Sequence, residues 1–405
     1  MKACGLVVEY NPFHNGHVYH INEAKKISGA DCMVAVMSGN FLQRGEPAVM
    51  DKYHRTKAAL QTGIDIMLEL PYTYAVQSSN LFAKGSVRTL NEVGVDSICF
   101  GSESGDIAPF LSGYETRMKK ESTYKEFLTK ALDKGLSFPE ASKEAYQAIG
   151  LTSNAIDLSK PNNILGFSYV SAIMDEELSI NPLTIKRTSN NFHDETVTSS
   201  IASATSIRKH LFSNKQSVKE IQYTMPTTTI QQLNNYQQKA STWHSWENYF
   251  HFLLYRVQTM EINELASIHG MEEGIEYRIK KTANHATSFH DWISKIKTKR
   301  YTWTRIQRIF VHLLTNTKKS EIDSLNIKTS IPYVRLLGLT EKGQAYLNGK
   351  KKQMDVPIVT KLSRNNHPML SLEERASHAY YSILPIEYRK KLFKQELYSP
   401  IFEKK

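Results

Sequence analysis

Short apolar runs recur through the first half of the chain, and between them lie segments whose apolar residues return every three or four positions. Residues 3–8, 32–37, 64–70 and 97–100 are rich enough in Val, Ile, Leu, Met and Cys to read as buried strands. Residues 18–27, 51–62 and 78–93 carry the helical period instead. Strand and helix in alternation predict an α/β fold with a mostly parallel sheet and right-handed crossovers. Ligands of such sheets bind outside the carboxyl ends of the strands, where the loops 9–17, 38–47, 71–80 and 101–106 fall. A fifth run, 183–186, closes on Arg187 and extends the sheet. The stretch 107–148 reads as helical, either covering the sheet or forming an insertion.

The pattern changes near residue 218. Long polar and basic helical stretches with interleaved aromatics follow, broken at Pro226, Pro332, Pro357, Pro368 and Pro385. A chain of 405 residues exceeds the size of one core, which divides it into an α/β domain over 1–215 and a mainly α-helical, basic domain over 216–405. The formal charge of +11 permits a nucleic-acid partner. Cys4, Cys32 and Cys99 stand singly in strand-like runs, as buried residues of a reducing compartment do. Glu9 directly after the first apolar run and the lack of any apolar stretch of about 20 residues point to a cytoplasmic protein without a membrane span. Neither G-x-G-x-x-G nor G-x-x-x-x-G-K-[ST] occurs, which argues against a dinucleotide site or a P-loop.

The chemistry begins at His14-Asn15-Gly16-His17, just beyond the first strand. A glycine lets the backbone approach a phosphate, a helix start attracts the anion, and two imidazoles can donate to a phosphoryl group whose charge grows in the transition state. Two turn histidines at a helix start are the plain alternative. The pattern resembles the nucleotidylyltransferase superfamily, which implies a Rossmann-like domain. A second element, Ser203-Ala204-Thr205-Ser206-Ile207-Arg208, offers capping hydroxyls and a guanidinium one turn on. It resembles the I-S-S-T-x-x-R element with which that superfamily holds the β- and γ-phosphates; a capped basic helix is the alternative.

Longer segments narrow the likeness. Residues 5–17, 37–48, Glu69-Leu70-Pro71, Phe100-Gly101-Ser102-Glu103, residues 160–166 and Lys186-Arg187 together resemble the bacterial tRNA(Met) cytidine acetate ligase family. The resemblance implies an enzyme that uses ATP to convert acetate to acetyl-adenylate and then acetylates the wobble cytidine of elongator tRNA(Met), forming N4-acetylcytidine. It also implies ATP contacts from Val7, Val8, Glu9, Tyr10, Asn11, Pro12, Phe13, His14, Asn15, Gly16, His17, Val18, Tyr19 and His20, and from Gly101, Asn162 and Arg187, with His14 and His17 catalytic. Asn40, Gln43, Arg44 and Glu46 lie in neighbouring strand-end loops, as solvated residues or as part of the site.

Acetate is a weak nucleophile, so holding it in line with the α-phosphate is the main task, with Mg2+ arriving on the triphosphate rather than in a protein-built cage. For the tRNA the richest patch is 295–308, where Lys297, Lys299, Arg300, Arg305 and Arg308 could follow a phosphate backbone while Tyr301 or Trp303 stacks on a base. Its alternative is a solvated basic helix with Trp303, Ile306, Ile309 and Phe310 facing the core. Two other functions fit parts of the chain: a small-molecule nucleotidylyltransferase, which leaves the basic half without a task, and a noncatalytic RNA-binding protein, which does not require both histidines.

Overall fold

The computed structural model describes residues 1–152, 156–187, 202–213, 218–363 and 367–404. Five parallel strands follow the chain in the expected order: β1 (Ala3–Val8), β2 (Cys32–Ser38), β3 (Ile66–Leu70), β4 (Ser97–Ser102) and β5 (Asn181–Lys186). In the sheet they stand β5-β4-β1-β2-β3. The chain therefore runs outward from β1 in both directions, and the switch point lies at the carboxyl end of β1. Alternate residues serve opposite faces: Cys32, Val34 and Val36 join one apolar cluster, Met33, Ala35 and Met37 the other. Burial on both faces explains why these strands read as unbroken apolar runs. The three cysteines are free and buried there.

Helix α1 (Asn15–Ser28) and helix α2 (Lys52–Leu60) pack on the second cluster through Ile21, Ala24, Ala58 and Ala59. The stretch 107–148 forms three helices, Ala108–Lys119, Glu121–Asp133 and Phe138–Ala148. None of the helices is long and apolar enough to cross a membrane among the described residues.

The sheet continues into the half where the sequence predicts mainly helices. Strand β6 (Val334–Thr340) pairs antiparallel with β3, and β7 (Ile358–Val359) and β8 (Ile401–Glu403) pair parallel with β6. Residues 216–405 thus supply three strands as well as many helices. Arg335 interrupts the apolar pattern of β6, yet it is 2% exposed because its charge is met inside: Nη2 lies 2.8 Å from Glu396. Lys52 completes the knot, with Nζ 2.7 Å from Glu69 and 2.9 Å from Glu396. Glu373 stands against the same group, and burial, then the charge of Glu69, pushes its carboxyl well above the usual range.

Candidate active site

The His-x-Gly-His segment opens α1 as a reciprocal cap. His14 is the N-cap: its Nδ1 accepts from Gly16 N at 3.1 Å, while His17 Nδ1 accepts from His14 N at 3.2 Å. The helix starts three residues earlier than the periodicity suggests, because imidazoles here do the work usually given to Ser and Glu. With both Nδ1 atoms accepting, the ring proton of each neutral histidine resides on Nε2. The two rings stack with centroids 3.8 Å apart and planes 28° from parallel, which leaves both Nε2–H groups as donors not used by the cap.

Electrostatics keep these rings neutral. Burial, followed by Arg187 and Arg208, lowers His14 to about 3, and burial with Arg187 lowers His20 to about 4. His17 is also held well below the ordinary range, by burial and then by His14 and His20. They are hydrogen-bond donors near neutral pH, not general acids.

The loop before α1 is shaped by Tyr10, a non-glycine residue at φ 49°. Its ring packs edge-on against Phe13 at 4.6 Å and His17 at 4.9 Å. Its hydroxyl, Asn11 Nδ2 and His20 Nε2 are buried without a hydrogen-bond partner among the described residues. Two orphaned polar atoms in this loop and one on α1 mark a place where a polar ligand belongs. Val8 and Phe13 are buried in the second apolar cluster, Val18 and Tyr19 pack against it, and Val7 packs against the first, so these five shape the loop from behind. Pro12 is cis to Asn11, and Asn15 Nδ2 donates to Tyr223 O at 3.0 Å.

The second phosphate element meets this loop across the sequence. Ser203 caps the helix Ala204–Phe212, its Oγ accepting from Ser206 N at 3.1 Å; Ser206 is buried and Thr205 half-buried in the same turn. Arg208 then crosses to the first motif, donating to Asn11 O at 2.9 Å and pairing with Glu46 at 3.2 Å. On the other flank Gly101 lies inside β4 rather than after it, and a Cβ there would meet Arg187 Cγ at 3.0 Å. Asn162, in the first turn of the helix Pro161–Asp175, donates to Glu103 Oε1 at 3.0 Å. The structure thus gathers His14, His17, Ser203, Arg208, Arg187, Gly101 and Asn162 along one sheet edge.

One organiser escapes the sequence reading. Arg55, fully buried on α2, donates to Glu9 O at 2.6 Å, Ser38 O at 3.1 Å and Gly39 O, tying together the loops after β1 and β2. The run Asp51-Lys52-Tyr53-His54-Arg55 looks like a solvated helix face, and no local signal in the sequence marks it as interior.

The basic patch divides. Lys297 and Lys299 are exposed. Arg305 reaches Glu272 at 2.8 Å and Arg300 pairs with Glu273. Arg308, on the helix Trp303–Leu314, turns towards the loop after β2, with Nη1 3.5 Å from Gln43 O. Burial, then Arg305, lowers it to about 10, so it remains charged near neutral pH. Tyr301 is 7% exposed, with the Arg305 guanidinium over its ring, and Ile306, Ile309 and Phe310 are core. The aromatic members of the patch therefore serve packing first, as the plainer alternative has it, while Lys297, Lys299 and Arg300 line its surface.

Comparison with known proteins agrees with this geometry. The family model for the HIGH Nucleotidyl Transferase matches residues 1–396. A tRNA(Met) cytidine acetate ligase of Oceanobacillus iheyensis is 55% identical over 401 residues, covering 99% of this chain and 100% of that protein. One from Bacillus subtilis is 47% identical over 390 residues, covering 96% and 93%. Two crystal structures of Thermotoga maritima TmcAL, each 33% identical and covering both chains in full, superpose with TM-scores of 0.91 for the apo form and 0.89 for the form bound with alpha-thio ATP. The sheet-edge cluster and these full-length likenesses agree, and the chain belongs to the HIGH nucleotidyl transferase family, in its tRNA(Met) cytidine acetate ligase group.

Proposed function

We propose that this protein activates acetate with ATP, releasing pyrophosphate, and transfers the acetyl group from acetyl-adenylate to the wobble cytidine of elongator tRNA(Met). The observation that carries the reading is the bridge from Arg208 to Asn11 O, 197 residues earlier, which ties the second phosphate motif to the loop that leads into the first. Arg208 and Arg187 flank the stacked histidines, whose Nε2–H groups donate to the α-phosphoryl oxygens as charge develops there. Ser203, Thr205 and Ser206 hold the β- and γ-phosphates, and Gly101 and Asn162 border the nucleoside end. A magnesium ion, carried by the triphosphate, would neutralise part of its charge; among the described residues no group of three or more His, Cys, Asp or Glu stands together to hold one. The tRNA lies over the basic patch, with Lys297 and Lys299 on phosphates and Arg300 and Arg305 exchanging their glutamates for RNA.

The test is acetate-dependent exchange of labelled pyrophosphate into ATP. Arg208→Ala removes charge-assisted hydrogen bonds, each worth about 1.5–3 kcal/mol, so exchange should fall about 10- to 100-fold or more. Arg208→Lys, a single-point donor, should recover only part of it. Wild-type exchange that proceeds equally without acetate would refute the reading.

A further inference from the structure

The second half-reaction requires a group that no motif supplies. The exocyclic amine of cytidine shares its lone pair with the ring, so its attack on an acyl carbonyl is assisted by a base that takes a proton as the new bond forms. Glu9 occupies the place for one. It follows the last residue of β1, at the switch point between β4 and β2. Its Oε1 accepts from Gln43 N at 2.8 Å and Ser38 Oγ at 3.2 Å, and its main-chain oxygen is held by Arg55 at 2.6 Å. The carboxylate is thereby fixed, while Oε2 accepts no hydrogen bond from the described residues. Tyr10, its neighbour, leans on His17, and the Gln43 loop that grips Oε1 touches the basic helix through Arg308. Glu9 therefore stands between the adenylate loop and the half of the protein that carries the cations.

We propose that Glu9 is the catalytic base of acetyl transfer, accepting through Oε2 the proton that the cytidine amine loses on attacking the acetyl-adenylate carbonyl. The assignment rests on the acetate-ligase reading above. The bond from N4 to the acetyl carbon forms, the bond from that carbon to the phosphoryl oxygen breaks, its electron pair leaves with AMP, and the N4 proton passes to Glu9. The charged and titratable groups facing Glu9 are Arg44 and Glu46 on the loop after β2, Arg55 on α2 and Tyr169 on the helix Pro161–Asp175. Burial is the dominant influence and raises the carboxyl above its ordinary range, against the lowering effects of Gln43 N and Arg44; a base so placed is better matched to neutral pH.

The experiment separates the half-reactions. Protein loaded with acetyl-adenylate is mixed with tRNA(Met) in single turnover, and pyrophosphate exchange is measured in parallel, from pH 5 to 8. For Glu9→Gln, transfer should fall about 10²- to 10⁴-fold beyond whatever exchange loses through the ATP contact of this residue, and the acidic limb of the transfer profile should vanish. Glu9→Asp, which keeps a carboxylate, should retain that limb and part of the rate. The proposal is overturned if Glu9→Gln transfers with the wild-type rate and limb, if transfer and exchange fall together, or if Glu9→Asp matches Glu9→Gln. Wild-type protein that formed no acetyl-adenylate would overturn the acetate-ligase reading itself, and this assignment with it.

Discussion

Gly45 joins the nucleotide site to the basic half, and replacing it with alanine should damage both. Its φ of +77° suits glycine, and an alanine in the left-handed region costs about 1–2 kcal/mol. The added Cβ would lie 2.4 Å from Arg308 N and 2.6 Å from Gln307 C, about 1 Å inside ordinary contact. Those are backbone atoms of the helix Trp303–Leu314, so no rotamer relieves the clash, and such overpacking costs about 1–3 kcal/mol more. The total, about 2–5 kcal/mol, is a large share of the 5–15 kcal/mol that keeps a typical protein folded. Relief by moving the loop would loosen the 2.9 Å bond from Trp246 Nε1 to Gly45 O, draw Gln43 N from Glu9 and pull Glu46 from Arg208. Urea unfolding followed by tryptophan fluorescence measures the stability, and pyrophosphate exchange the function. Gly349→Ala is the control, since a Cβ there meets nothing within 4 Å. A Gly45→Ala midpoint equal to that of the wild type, with normal exchange, would refute this view of the loop.

The site should also respond to acid. His14 and His20, at about 3 and 4 in the folded chain, lie below the value of about 6.5 for an unfolded histidine, so the unfolded state binds protons first and stability falls as pH drops from about 6.5 towards 3. Wild-type protein should therefore lose more stability than His14→Asn between pH 6.5 and 4 in urea titrations, and an equal loss would contradict the burial argument. Lys52→Met leaves Glu69 and Glu396 buried with less positive charge, so thermal unfolding should show a loss of about 3–5 kcal/mol; a neutral result would mean that water or protonation relieves the pair. Replacing Lys297 and Lys299 with alanine should weaken tRNA binding and flatten its dependence on log salt by about 0.7–0.9 for each phosphate no longer neutralised. An unchanged slope would place the RNA elsewhere.

Much of the sheet was legible because buried parallel strands leave long apolar runs, and β1 to β5 end within a few residues of where those runs end. The candidate site was legible where its signal is local: His14 to His17 and Ser203 to Arg208 are each a few consecutive residues. Strand β6 was hidden because Arg335 breaks its apolar run, and the carboxylate that neutralises it, Glu396, is 61 residues away. Arg55 was hidden for a related reason, since its acceptors are main-chain oxygens of other loops. Arg300 and Arg305 read as free cations because the glutamates they meet, Glu273 and Glu272, lie two helices earlier in the chain. Side chains whose partners come from distant segments leave little trace in a local pattern.

The most direct test is to incubate the protein with ATP, Mg2+, isotopically labelled acetate and unmodified elongator tRNA(Met), digest the RNA and analyse the nucleosides by mass spectrometry. Labelled N4-acetylcytidine at the wobble position, with AMP and pyrophosphate formed and with no product from His17→Ala, is the expected result. Pyrophosphate release without labelled nucleoside would leave the adenylylating site in place but contradict tRNA as its acceptor.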